Sequence, residues 1–90
     1  MTRTTKECTP RVCSAAAEQH IHAYLVEVGA FGDAEMVLKA MEMLLSKAAL
    51  GYGMLAGQVP VMDLLLRTSV NVAQRLEDMG IAPEAGARPQ

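Results

Sequence analysis

Residues 33–56 read DAEMVLKAMEMLLSKAALGYGMLA, and the spacing of their polar side chains decides the fold. At 100° per residue, Glu35, Lys39, Glu42 and Ser46 fall within an arc of about 60°. Lys47 alone lies well off that arc. Met36, Val37, Leu38, Met41, Met43, Leu44, Leu45, Ala48 and Leu50 take up the rest of the circumference. A helix that is apolar over most of its surface has to be covered over most of its surface. Asp33, a good N-cap residue type, marks the start. Gly51 and Gly53 weaken the far end, each glycine costing about 1 kcal/mol relative to alanine. The reading adopted is a helix over 33–56, with a loop across Gly51 to Gly57 as the alternative.

Working outward, the stretch before Asp33 predicts a helix over about 14–28, with Ser14 as N-cap and Gly29 in the left-handed position that ends it. Its apolar residues Ala17, Ile21, Tyr24, Leu25 and Val28 fall on one face. The turn Gly29-Ala30-Phe31-Gly32 is short enough to make the first two helices antiparallel neighbours. After the glycines, Pro60 suits the first turn of a third helix over about 59–79, closed by Gly80, Ile81 and Pro83. Val61, Met62, Leu65, Leu66, Val72, Ala73, Leu76 and Met79 form its inner face, and Asp63, Arg67, Asn71, Gln74 and Asp78 its outer one. Asp63 and Arg67 stand at i, i+4 and are expected to pair. Ser69 lies in the middle of the apolar face, where its hydroxyl can bond the preceding turn. The fold class is therefore all-α, a three-helix array. A flexible arm at 1–12, a helical domain at 13–81 and a flexible tail at 82–90 complete the division.

The chain has 90 residues, of which 51% are hydrophobic and only 3% aromatic. A domain of this size buries roughly 60% of the surface its unfolded chain exposes, so a core of its own is marginal. Small folds gain the missing stability from disulfides, a metal or a second chain. Two cysteines allow at most one bridge. Two short neighbours cannot cover the second helix, so pairing into a homodimer or higher helical-bundle oligomer is expected. Met36, Met41, Met43, Leu44, Tyr52, Gly53, Leu55 and Gly57 are the candidate partner-facing residues. If the helix continues past Gly51, the polar direction is carried on after Ser46 by Ala49, Gly53 and Gly57, a stripe of small residues along which another helix can approach closely. Six methionines beyond Met1 (Met36, Met41, Met43, Met54, Met62 and Met79) add flexible apolar groups suited to irregular cores and adaptable surfaces.

Composition excludes several function classes. A net charge of −2 offers no clustered basic excess for nucleic acid. Arg3, Lys6 and Arg11 make the amino-terminal arm only mildly basic. No apolar run follows the first residues, so no secretory leader is expected and the setting is read as cytoplasmic. Lys39, Glu42 and Lys47 interrupt the most apolar stretch, and each would cost about 2.5–3.5 kcal/mol at a bilayer centre, so no membrane span is expected.

The motifs are few. Cys8, Cys13, His20 and His22 have a spacing that resembles a zinc set, but on a helix His20 and His22 project about 160° apart and cannot share one tetrahedral metal. Local pairing of His22 with Glu18 and of His20 with Tyr24 is the simpler expectation. Gly51-Tyr52-Gly53-Met54-Leu55-Ala56 matches a dinucleotide-binding pattern that has meaning only between a strand and a helix. Here it follows helix, so no cofactor is expected. No nucleophile, base and acid can be placed together, and no catalytic site is expected. The resulting expectation is a non-enzymatic helical interaction or regulatory protein. The alternatives are a metal- or redox-responsive regulator using Cys8, Cys13 and His20, and a small dimeric DNA-binding protein presenting Arg67, Asn71, Gln74 and Arg75 from the outer face of the third helix.

Overall fold

The computed structural model describes residues 8–84. Arg3, Lys6, most of the expected arm and residues 85–90 of the expected tail lie outside the described residues. Three α-helices follow in order, α1 (Pro10–Glu27), α2 (Ala34–Ala56) and α3 (Gln58–Asp78), with no strand among the described residues. The all-α three-helix array expected from the sequence is the observed fold.

Helix α1 begins four residues earlier than the expected start at Ser14. Thr9 is extended (φ −93°, ψ 159°) and its side chain accepts a hydrogen bond from the Val12 N–H at 3.2 Å, while Pro10 supplies the preset φ of a first helical turn. The Thr-Pro pair is thus the true start signal, and residues 10–12 belong to the helix rather than to an arm. At the other end Gly29 has φ 70°. The Gly29 N–H bonds the Val26 carbonyl and the Ala30 N–H bonds the Leu25 carbonyl, both at 3.0 Å. That is the paired pattern of a Schellman ending, in which the residue after the glycine packs back on the last turn. Leu25 and Ala30 are the residues so joined. They are also the two buried apolar residues among those described, 6% and 2% exposed.

Asp33 caps α2 as expected, its carboxylate accepting from the Glu35 N–H at 3.0 Å and the Met36 N–H at 3.4 Å. The helix continues through Gly51 and Gly53 to Ala56, which settles the choice between helix and loop. A single residue, Gly57, separates it from α3. Its φ of 106° and ψ of 166° lie in a region essentially closed to residues with a Cβ. The Gly57 N–H closes α2 on the Gly53 carbonyl at 2.8 Å, and its own carbonyl accepts from the Val61 N–H at 3.2 Å to open α3. Helix α3 ends as α1 does. Gly80 has φ 82°, and the Gly80 and Ile81 N–H groups bond the Glu77 and Leu76 carbonyls at 3.0 and 2.9 Å.

The chain divides within α2 into two units, residues 1–45 and 46–90. In the first, Ile21, Tyr24, Val37, Ala40 and Leu44 are half-buried. Val37, Ala40 and Leu44 point away from Glu35, Lys39 and Glu42, as the polar arc requires. The Tyr24 hydroxyl donates to the Ala40 carbonyl at 2.8 Å, a tie between helices that rests on the small side chain at Ala40. In the second unit, Val61 lies over Gly53: a Cβ placed on Gly53 would sit 3.3 Å from Val61 Cγ1. The close approach expected along the bare stripe therefore exists, and α3 of the same chain makes it.

Candidate interaction surface

Helix α2 carries most of the expected partner-facing residues. Met36, Met41, Met43, Tyr52 and Leu55 are exposed, whereas Leu44, Gly53 and Gly57 are partly shielded by their own chain. Leu55 is 93% exposed and the adjoining Met54 79%. Within the second unit, Ala49, Leu50, Gly53, Met54, Gln58 and Val61 line an open notch of about 310 Å³. The notch follows from the sequence. Ala49 and Gly53 have too little side chain to fill it, and Leu50 and Met54 form its wall. Gly57 has a different explanation from the one given by the stripe, since its backbone conformation alone demands glycine.

Helix α3 departs from the expected face. Leu64, absent from the expected inner face, is half-buried, as is Val61, while Met62, Leu65, Leu66, Val72, Ala73, Leu76 and Met79 are exposed. The expected arc followed the centre of apolar residues on a helix that is apolar in several directions. Which direction is covered depends on what lies against the helix, and spacing along one helix does not reveal that. Ser69 donates to the Leu66 carbonyl at 2.7 Å, as expected.

The polar outer face of α3 pairs internally. The Arg67 Nε donates to the Asp63 carboxylate at 2.9 Å and the Gln74 amide to the Asp78 carboxylate at 3.1 Å. Two of the four side chains that could read bases are thus already engaged by carboxylates, which would also face phosphates.

Cys8 and Cys13 lie at the start of α1, both exposed, with their sulfurs 3.3 Å apart. The hydrogen bond with Cys8, then the Cys8 charge and a small contribution from burial, push the Cys13 thiol above its ordinary value. His20 is seven residues further along the helix than Cys13, a rise of about 10 Å, so the proposed set of Cys8, Cys13 and His20 is not gathered. Among the described residues no three or more histidines, cysteines and carboxylates come together. His22 does not take Glu18 as its neighbour: its ring lies 5.2 Å from that of Phe31, tilted by 45°. Tyr24, expected to meet His20, is held by Ala40 instead. The first turn of α1 brings the two sulfurs together, Phe31 of the link takes His22, and α2 holds Tyr24.

No described helix is long and apolar enough to cross a membrane. No family model, curated protein or solved structure matches the chain.

Proposed function

We propose that the protein is a non-enzymatic, cytoplasmic interaction module that acts as a homo-oligomer, using the apolar surface of α2 and the neighbouring part of α3 to bind a second copy of itself. The observation that carries this reading is the disparity between core and surface. Among the described residues two apolar residues are buried while twenty-two large apolar side chains are exposed. A standard interface takes about 800 Å² from each partner, the contribution of 20–30 residues, so the exposed set is large enough to supply one. Burial on that scale would also stabilise the fold, since each fully covered Leu, Met or Val contributes about 1.5–3 kcal/mol.

A second copy suits this surface better than an acidic or basic partner. The charges on α2 are Glu35, Lys39, Glu42 and Lys47, two of each sign, so two copies of the helix meet without net repulsion. A chain net charge of −2 opposes association only weakly. Symmetric pairing is the commonest way for a small soluble chain to complete its core. The notch beside Gly53 offers a recess into which a Leu or Met of the partner can fit, as knobs enter holes in helical bundles.

The test places charge in the surface without touching the chain's own packing. Leu55→Asp and Met54→Asp should each lower the mass measured by light scattering on a sizing column to that of the single chain, with a loss of thermal stability. Exposed Glu18→Lys, on α1 outside the proposed surface, serves as a control that leaves the mass unchanged. Unaltered mass in both aspartate variants would remove α2 from the interface.

A further inference from the structure

The cysteine pair takes no part in the helical surface. Cys8 directly precedes the N-cap Thr9, and Cys13 is the fourth residue of α1. Side chains at these two positions meet over the first turn of a helix, where apolar residues ordinarily form a staple. Here both are thiols, both are exposed, and their Sγ atoms lie 3.3 Å apart. Thr9 fixes the approach from both sides. Its side chain accepts from the Val12 N–H at 3.2 Å, and its carbonyl accepts from the Cys13 N–H at 2.9 Å. The turn that carries Cys13 is therefore closed on the residue joined to Cys8. Two sulfurs alone do not satisfy a structural zinc ion, which takes four ligands, and no third ligand stands near them among the described residues.

We propose that Cys8 and Cys13 form a thiol–disulfide exchange site that reacts with small-molecule disulfides of the glutathione type. One of the two thiols gives its proton to solvent and its thiolate attacks one sulfur of the small disulfide, forming a mixed disulfide and releasing one small thiolate, which is protonated by solvent. The second thiol gives its proton to solvent, and its thiolate attacks the capped sulfur 3.3 Å away. The Cys8–Cys13 bond forms, the bond to the small molecule breaks, and the second small thiolate leaves and is protonated. Two protein thiols are oxidised and one disulfide is reduced to two thiols, with no other oxidant. Either sulfur can donate in the shared contact, and at 3.3 Å whichever is capped first lies within reach of the other. The site does not depend on self-association.

The reduced full-length chain is mixed with oxidised glutathione, quenched with acid and weighed by intact mass spectrometry. The product expected is a single chain lighter by two hydrogen atoms, formed at a rate independent of protein concentration. Cys13→Ser and Cys8→Ser should each instead hold one stable glutathione adduct, with circular dichroism confirming that both variants keep their helix content. A chain that ends with two glutathione adducts, a disulfide-linked dimer, or a fully reduced chain in excess oxidised glutathione would overturn the proposal.

Discussion

Gly51 and Gly53 lie two residues apart in the same helix, and alanine at the two positions should have different effects. Both have ordinary helical backbones, so alanine at either site removes the same conformational penalty, about 1 kcal/mol. At Gly51 nothing lies within 4 Å of the added Cβ, and the full gain should appear. At Gly53 the added Cβ meets Val61 Cγ1 at 3.3 Å and Val61 Cβ at 3.6 Å. The shorter distance is inside the optimum carbon separation of about 3.5–4.0 Å. Val61 must give way, and overpacking of this kind costs about 1–3 kcal/mol. The lower end of that range cancels the helical gain, so Gly53→Ala is expected to leave stability unchanged or slightly lower it. In a Val61→Ala background the obstruction is gone and Gly53→Ala should recover the gain, giving a coupling of about 1 kcal/mol between the two sites. Gly53→Leu should be strongly disruptive, whereas Gly51→Leu is accommodated. Urea unfolding at one fixed protein concentration measures all of these. If Gly53→Ala stabilises as much as Gly51→Ala and shows no coupling to Val61, then α3 does not lie over Gly53 and the reasoning fails.

Other perturbations test single features of the fold. Tyr24→Phe removes the 2.8 Å bond to the Ala40 carbonyl and should cost about 1 kcal/mol in urea unfolding; no change would mean that the tie between α1 and α2 contributes nothing. Gly80→Ala finds open space but a φ of 82°, so thermal unfolding should register a backbone cost of about 1–2 kcal/mol, with Gly80→Asn better tolerated. Asp33→Ala removes the cap on α2 and should cost about 1 kcal/mol in the same measurement.

The features legible from sequence are those that backbone chemistry dictates locally. Gly29 and Gly80 stand where only glycine takes the left-handed turn easily, and Asp33 stands where a short carboxylate can reach the free N–H groups of the next turn. Asp63 and Arg67 pair because i, i+4 positions on a helix are neighbours whatever surrounds them. The start of α1 was equally local, but the alanine run after Ser14 concealed the Thr9-Pro10 signal four residues upstream. Long-range matters were less accessible. Nothing in the spacing of α3 distinguishes Leu64 from Leu65, because the helix is apolar on more than one side and the choice belongs to its neighbour. The bond of Tyr24 to a backbone carbonyl sixteen residues away leaves no side-chain pattern to detect. For the candidate surface, the excess of apolar residues on α2 is a compositional signal and could be read directly. The notch at Gly53 needed the position of Val61.

Sedimentation equilibrium of the untagged chain over a range of micromolar concentrations tests the central claim, that the fold is completed by a second copy. The account predicts a mass of at least twice the 9.6 kDa of one chain, falling towards the single-chain value on dilution, with thermal stability falling in step as mass action requires. A stable, monodisperse 9.6 kDa species whose unfolding is independent of concentration would contradict it.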